Sequence, residues 1–495
     1  PASSTDGKYS GLNPPDVSVT NIDNDTAGFT VAPTSGLTTT EAGGTAQFTI
    51  KLNTRPTANV TIPISSSNTA EGTVSVSSVT FTPANWNVPQ TITITGVDDD
   101  VDDDNVNYTI ITGVASSTDT KYNGLNPSDV SVTNTDNDTA GITVNPTSGL
   151  TTTEAGGTAT YTIRLNTRPT ANVTIGLSSS NTAEGIVSPT SVTITPANWS
   201  NPVTVTVTGV DDFVDDGNVT YTIVTAAATS TDTKYNGLNP SDVSVTNLND
   251  DVAGVTVDPT SGLVTTEAGA QATFTIKLNS RPTANVSITL NSTNTDEGVI
   301  SPTSVTFTSS NWNTPQTITI TGVDDDVDDD DIAYTIETQP CVSSDTKYDN
   351  LNPVDVSVTN RDNDVAGYIV SPTTVSYSES GSPVTVNFRL ATEPTANVSF
   401  TITSENTDKG TVSPASFTFT PANWNTDQVL TITPVNNSVD DGDFTFTVTT
   451  SDATSTDSKY NSLNPPDIQV TCTDDDVAGI TVSAISGNTR EDGTT

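Results

Sequence analysis

The segment GVDDDVDDDNVNYTI, beginning at Gly96, returns as GVDDFVDDGNVTYTI at Gly209 and GVDDDVDDDDIAYTI at Gly322, and more loosely as PVNNSVDDGDFTFTV at Pro434. The steps are 113, 113 and 112 residues. The AGFTV pattern at Ala27 keeps the same phase at Ala140, Ala253, Ala366 and Ala478, and the KYSGLNPPDVSVT pattern at Lys8 returns from Lys121, Lys234, Lys347 and Lys459. A fixed period of this length means a linear array of like domains, each large enough to enclose its own core. Four complete repeats are expected at 27–139, 140–252, 253–365 and 366–477. Residues 1–26 match the C-terminal part of a preceding repeat and 478–495 the N-terminal part of a following one, as in a segment of a longer array.

Within each repeat the apolar residues alternate with polar ones, the period of a strand. TAQFTIKL (Thr45–Leu52) puts Phe48, Ile50 and Leu52 on one face, and ANVTIPI does the same with Val60, Ile62 and Ile64. SVTFTP, QTITITGV, VNYTIITG and DVSVTN follow. Thr on the outward face suits exposed strands, being β-branched and polar. RPTAN, SSNTAEG, PANWN, the aspartate run and YNGLNP supply the turns. No useful stretch shows helical periodicity. Seven or so short strands in about 110 residues predict an all-β fold, an immunoglobulin-like sandwich in each repeat, joined end to end. One tryptophan falls in a turn of each repeat, at Trp86, Trp199, Trp312 and Trp424. Such a residue either plugs the end of a core or stacks on a carbohydrate. The tyrosine of the KYNGLNP loop is expected to pack down onto the domain.

Charge narrows the partners. The chain has 59 Asp and Glu against 15 Lys and Arg, no His and a formal net charge of -44. Phosphates would be repelled, which argues against nucleic acid and anionic membrane surfaces and for cations. No apolar run is long enough to span a bilayer. The two cysteines, Cys341 and Cys472, lie 131 residues apart in different repeats and read as unpaired thiols; a bridge between chains is the alternative. Zinc lacks its usual Cys and His ligands.

Six aspartates occupy the seven positions from Asp98 to Asp104. If seven strands run up and down a sandwich, this run joins the fifth to the sixth. Glu41 follows the first strand, Glu71 follows the third, and Asp136 and Asp138 follow the last. All four features then fall at the end of the domain that meets the next repeat. Carboxylates packed together raise each other's pKa and destabilise the fold. Ca2+, which accepts 6–8 oxygen ligands in flexible geometry, would relieve this; Mg2+ demands a stricter octahedron.

An early Glu, a loop of the form Asp-Asp-Asp-hydrophobic-acid-acid and a terminal acidic run followed by Ala-Gly resemble the Calx-beta domain. The resemblance implies a seven-stranded sandwich binding clustered Ca2+ at its distal loops. It implies as ligands Glu41, Asp98, Asp99, Asp102, Asp103, Asp136 and Asp138 in the first repeat. In the second it implies Glu154, Asp211, Asp212, Asp215, Asp216, Asp250 and Asp251. In the third it implies Glu267, Asp324, Asp325, Asp328, Asp329, Asp362 and Asp364, and in the fourth Glu379, Asp440, Asp441, Asp474 and Asp476. The fourth repeat departs from the others: Asn436 and Asn437 replace an Asp pair, and Lys409 stands where the others have Glu71, Glu184 and Glu297. Fewer or weaker ions are expected there.

The expected function is structural: a calcium-binding extracellular repeat protein, a fibre, filament or adhesin stalk, with ions at the inter-repeat junctions stiffening the array. The near-identical repeats resemble those of giant bacterial surface proteins, and the chain could also contact other copies of itself, laterally or end to end. A calcium-dependent adhesin gripping glycans through its tryptophans is the alternative. Four equivalent copies of each acidic residue suit a scaffold better than an active site, so an enzyme is not expected. Asp119, in the STDTKY loop, is a further candidate to lend a carboxylate across a junction.

Overall fold

The computed structural model describes residues 1–484, and among these it contains strands and no helix. In the first repeat the strands are β1 (Phe29–Ala32), β2 (Leu37–Thr40), β3 (Thr45–Leu52), β4 (Val60–Ser66), β5 (Gly72–Val74), β6 (Ser78–Phe81), β7 (Gln90–Gly96), β8 (Val106–Thr112), β9 (Ser116–Ser117) and β10 (Val130–Thr135). They form two sheets, β1-β3-β7-β5 and β2-β10-β8-β4-β6, with β9 on the edge of β4. The seven expected strands are present, but the first and fourth are each broken, and their halves lie in opposite sheets. The first breaks after β1 because Pro33 has no amide to give the ladder. It resumes as β2, which runs parallel to β10. The fourth contributes β5 to β7 and β6 to β4.

The alternation read from the sequence is the alternation that buries. Along β3 the pattern closes on Phe48, Ile50 and Leu52, which meet Ile62, Phe81, Ile92, Ile94 and Ile110 in one core. Trp86 packs against that core from the turn before β7, and its carbonyl accepts the Leu52 amide at 3.0 Å. Tyr122, in the loop before β10, is buried, and its hydroxyl donates to the Thr54 carbonyl at 2.7 Å. Cys341 and Cys472 are buried free thiols in separate cores.

The chain forms two compact units, Pro1–Asp212 with Asp216–Asp250, and Phe213–Asp215 with the residues from Asp251 on. Each holds two sandwiches with separate cores. Neighbouring strands decide whether a sequence becomes a strand at all. DVSVT at 129–133 lies in β10 and the start of its ladder between β2 and β8, whereas the identical DVSVT at 16–20 has no such neighbours, forms no strand and leaves Val17 and Val19 exposed. Of the stretch 478–495, expected to open a further repeat, Ala478–Ala484 carries no strand and the remainder lies outside the described residues.

Because each repeat owns its core and one tryptophan, damage should stay local. Phe81→Ala empties a site with no solvent exposure and should cost about 3–5 kcal/mol. The expected urea profile, followed by tryptophan fluorescence, gains an early transition of roughly one quarter of the amplitude, since one of four tryptophans reports it. A uniform shift of the whole profile would contradict independent cores.

Candidate metal centre

The acidic features converge at one end of each sandwich, and the strands explain why. The parallel pairing of β2 with β10 carries Glu41 beside the chain leaving β10, where the Glu41 amide donates to the Thr135 carbonyl at 3.1 Å. Glu71, in the turn after β4, holds the start of the aspartate loop: the Val97 amide donates to its carbonyl at 3.0 Å. The loop itself turns back at a left-handed residue in all four repeats, Asp104 (φ 67°), Gly217 (φ 78°), Asp330 (φ 68°) and Gly442 (φ 79°). In the first repeat that turn aims the Asp103 and Asp104 amides at Asp136 Oδ2, at 3.1 and 2.9 Å.

Two clusters result. Glu41 lies with Asp136 and Asp138, and Glu71 lies with Asp99 and Asp103; in each, one carboxylate oxygen per residue falls within 4.8 Å of the others. Both glutamates are almost fully buried, at 3% and 5% exposure. Glu41 Oε2 accepts the Asn137 amide at 3.0 Å, and Glu71 Oε2 accepts Asn134 Nδ2 at 3.2 Å. Thr39 steadies that asparagine by donating its hydroxyl to Asn134 Oδ1 at 2.9 Å. Among the described residues no ion pair reaches either cluster.

The electrostatic consequence is plain. Burial, then the charges of Asp136 and Asp99, push the Glu41 carboxyl up to about 7 against the Asn137 amide. Burial with Glu71, Asp99 and Asp136 pushes Asp103 up to about 6. Asp138 is raised by burial and by Asp136. The third repeat repeats this: burial and Asp362 push Glu267 to about 7, and burial with Glu297 and Asp325 push Asp329 to about 6. Glu267 lies with Asp362 and Asp364. Asp329 Oδ1 is buried with no hydrogen-bond partner. In the second repeat Glu184 lies with Asp212 and Asp216 and is raised by burial first, then by their charges. Glu154 Oε2 accepts the Asp250 amide at 3.0 Å.

Not every expected ligand faces a cluster. Asp102 Oδ1 accepts from Lys234 Nζ at 2.5 Å and Oδ2 from the Ala140 amide at 2.8 Å; burial opposes ionisation, but these donors prevail and hold the carboxyl low. Asp328 is engaged in the same way by Lys459 and Ala366. Asp215, grouped with the second unit, accepts from Lys347 Nζ. Asp251 opens the second unit's main segment. Asp98 Oδ1 and Asp324 Oδ1 accept side-chain amides of Asn137 and Asn363, both at 3.1 Å. Asp99, which does lie in the Glu71 cluster, also accepts the Val101 amide, as Asp325 accepts that of Val327. Asp211 is exposed. The expectation for Asp119 is overturned. Its oxygens accept the Thr57 amide at 2.7 Å and the Lys121 amide at 3.0 Å, so it staples its own loop, and a lysine two residues later in the motif, Lys234, crosses the junction instead. The ligand set implied by the family resemblance omitted Glu71 and its counterparts, which the structure places at the heart of a cluster. Their signal was present, a buried-strand phase followed by Glu at the same point of three repeats.

The fourth repeat carries its own cation. Lys409, in place of Glu71, is 7% exposed; its Nζ bonds Glu379 Oε1 and, at 2.7 Å, Asp441 Oδ1. Cys472 stands for Asn134 and Tyr377 for Thr39, so the amide that served Glu71 is absent where the glutamate is absent. Tyr377 donates instead to the Lys409 carbonyl at 3.0 Å. Of the remaining acids, Asp474 accepts the Gly442 and Asp476 amides, Asp440 accepts that of Ala478, and Asp476 Oδ2 is buried without a partner.

No family model matches this chain, and no curated protein matches it. Among solved structures it is similar to CBD12 from CALX1.2, at 11% identity over 44% of this chain and 99% of that one, with a TM-score of 0.23. It is also similar to the calcium binding domain CBD12 of CALX1.1, at 10% identity over 44% and 99%, with a TM-score of 0.24. Domains 1–6 of the surface layer protein SbsC align at 14% identity over 91% of this chain and 55% of that one, with a TM-score of 0.19. The tandem β-sandwich assignment rests on the sheets themselves.

The raised carboxyls set a pH dependence for the metal-free fold. Glu41 and Glu267 start from 4.5 and rise to about 7; Asp103 and Asp329 start from 3.8 and rise to about 6. A group with a raised folded pKa adds stability that is complete below its unfolded pKa and is lost as pH climbs through the folded value. In chelator, the melting temperature is therefore expected to fall between pH 4.5 and pH 7. A melting temperature that rises over that interval would remove the clusters as its controlling groups.

Proposed function

We propose that this chain is a calcium-stabilised structural repeat protein of the extracellular space, in which the ions bind at the acidic end of each sandwich. The contrast between repeats carries this. In the fourth, a buried ammonium lies between Glu379 and Asp441. In the first, the same place holds Glu71, Asp99 and Asp103 with no cation of the protein's own. Two like charges about 4 Å apart repel by about 4 kcal/mol at an effective dielectric of about 20. Three such pairs approach the whole stability of a domain, about 5–15 kcal/mol. Protonation answers this only below the raised pKa values; at neutral pH a bound cation must.

The donor set favours calcium. Every candidate ligand is an oxygen, the donor type that Ca2+ takes in flexible numbers, and in each cluster the oxygens lie close enough together to meet one ion. The ion would be held by Glu41, Asp136 and Asp138 at one place and by Glu71, Asp99 and Asp103 at another. It would supply positive charge and fix the exit of β10 against the aspartate loop. Outside a cell, where calcium modules work at 10⁻⁴–10⁻³ M, such sites would be filled. Loops that otherwise repel one another would then stiffen the array from end to end. The tryptophans pack against the cores, so no observation favours a glycan platform.

The experiment is a melt of the chain in millimolar calcium and in chelator, with bound calcium counted per chain. A ligand that binds only the folded state raises its stability by about 2.7 kcal/mol at a hundredfold excess over Kd. The expected result is a large upward shift and several ions per chain. Lys409→Glu, which restores the glutamate beside Asp441 while Asn437 still stands in place of Asp99, is expected to raise the count in calcium and to lower the melting temperature of the fourth repeat in chelator. An unchanged melt with no bound ion would reduce the clusters to solvated acidic faces.

A further inference from the structure

In the fourth repeat the positions of Glu71, Asp99 and Asp103 are taken by Lys409, Asn437 and Asp441: an amine, an amide and a carboxylate. In the first repeat these positions bring one oxygen each within 4.8 Å of one another. In the fourth, Glu379 reaches both new groups. Its Oε1 accepts from Lys409 Nζ, and its Oε2 accepts Asn437 Nδ2 at 2.9 Å. Asn437 Oδ1 in turn accepts the Val439 amide at 2.7 Å. Lys409 is 7% exposed and Glu379 2%, and Tyr377 and Phe446 pack against the adjoining Gly410.

A lysine amine is a nucleophile once it has given up a proton. The carboxylate held on it is the base that takes that proton, and the same carboxylate, touching the amide nitrogen, can hand a proton to a leaving group. A main-chain amide aimed at the carbonyl oxygen stabilises the negative charge that gathers there when the carbon is attacked. All three parts are in place around Glu379. Asp441 Oδ1, 2.7 Å from Lys409 Nζ, holds the amine in position. An ionised carboxylate is a poor target for an amine, because attack would add charge to charge; the Asn437 amide is neutral.

We propose that Lys409 and Asn437 join in an intramolecular amide bond, with Glu379 carrying the protons. The Nζ–Cγ bond forms and the Cγ–Nδ2 bond breaks. Two protons leave the Lys409 ammonium by way of Glu379 and pass to Nδ2, which departs as ammonium. Glu379 is regenerated, and no oxidant or second reactant is consumed. The link ties the turn after the strand Val398–Ser404 to the aspartate loop of the same sandwich. It leaves no carboxylate at positions 409 and 437, so the contrast with the first repeat is kept. Its signature is a change of covalent mass, which calcium binding does not produce.

The test is mass spectrometry of the full chain, intact and after trypsin. Trypsin cuts after Lys and Arg, so a free Lys409 gives two separate peptides, 390–409 and 410–459. The expected result is an intact mass short by one ammonia and a single uncut peptide, 390–459, that carries the deficit, with fragmentation placing the link between Lys409 and Asn437. Glu379→Gln keeps the shape and removes the base; Lys409→Arg removes the nucleophile. Both are expected to show full mass and cleavage after residue 409, with unchanged circular dichroism as the check on folding. The native peptide map decides the matter whether or not a variant folds. A native chain of full mass that is cut after Lys409, a deficit confined to 410–459 as from a cyclised asparagine, a deficit of one water as from condensation with Asp441, or a link that persists in Glu379→Gln would overturn the proposal.

Discussion

Repulsion among buried carboxylates is the constraint that organises each repeat. Glu41 and Glu71 are as buried as core residues, yet each sits among aspartates at a distance where charges repel strongly. A fold can keep such groups only if something returns the energy. The array answers in three ways. Main-chain and side-chain amides serve single oxygens, as Asn134 does for Glu71. Lysines from a neighbouring sandwich serve the outer face of the loop, as Lys234 does for Asp102 and Asp104. What these leave over falls to protons or to a divalent cation.

The broken first strand makes this end possible. Had it continued in one sheet, Glu41 would follow a strand paired only to β3. Because β2 crosses to pair with β10, the glutamate arrives beside the linker that carries Asp136 and Asp138. Close approach is part of the same design. A side chain at Gly96 would meet the Thr40 carbonyl at 2.2 Å, so the end of β7 can pass the end of β2 only as glycine there. The fourth repeat changes Gly96, Thr39, Asn134 and Glu71 together, to Pro434, Tyr377, Cys472 and Lys409, and so solves the same crowding with a different set of groups.

Much of the fold was legible in the sequence because it is local. The alternation in TAQFTIKL reports its own burial, and the turn residues report the ends of strands. The convergence of Glu41, the aspartate loop and Asp136 was legible from phase alone, since up-and-down strands send alternate loops to one end. The breaks in the first and fourth strands were not, because a strand's choice of sheet is made by partners far along the chain. The role of Lys234 was not legible either. Its partners lie 130 and 132 residues away, and nothing near it marks its direction. Asp119 illustrates the same limit: an aspartate in a loop beside a junction looks available until the amides of Thr57 and Lys121 are seen to claim it.

The left-handed residue of the aspartate loop has a further consequence. It is Asp at two places and Gly at two, and the Asp copies, Asp104 and Asp330, are the ones whose side chains reach the lysine of the neighbouring sandwich. Choosing Asp accepts backbone strain in exchange for a second charge on that lysine; choosing Gly relaxes the turn and gives up the charge. Within each unit, the residue at that turn therefore sets how many charges the lysine of the neighbouring sandwich meets: two where it is Asp104 or Asp330.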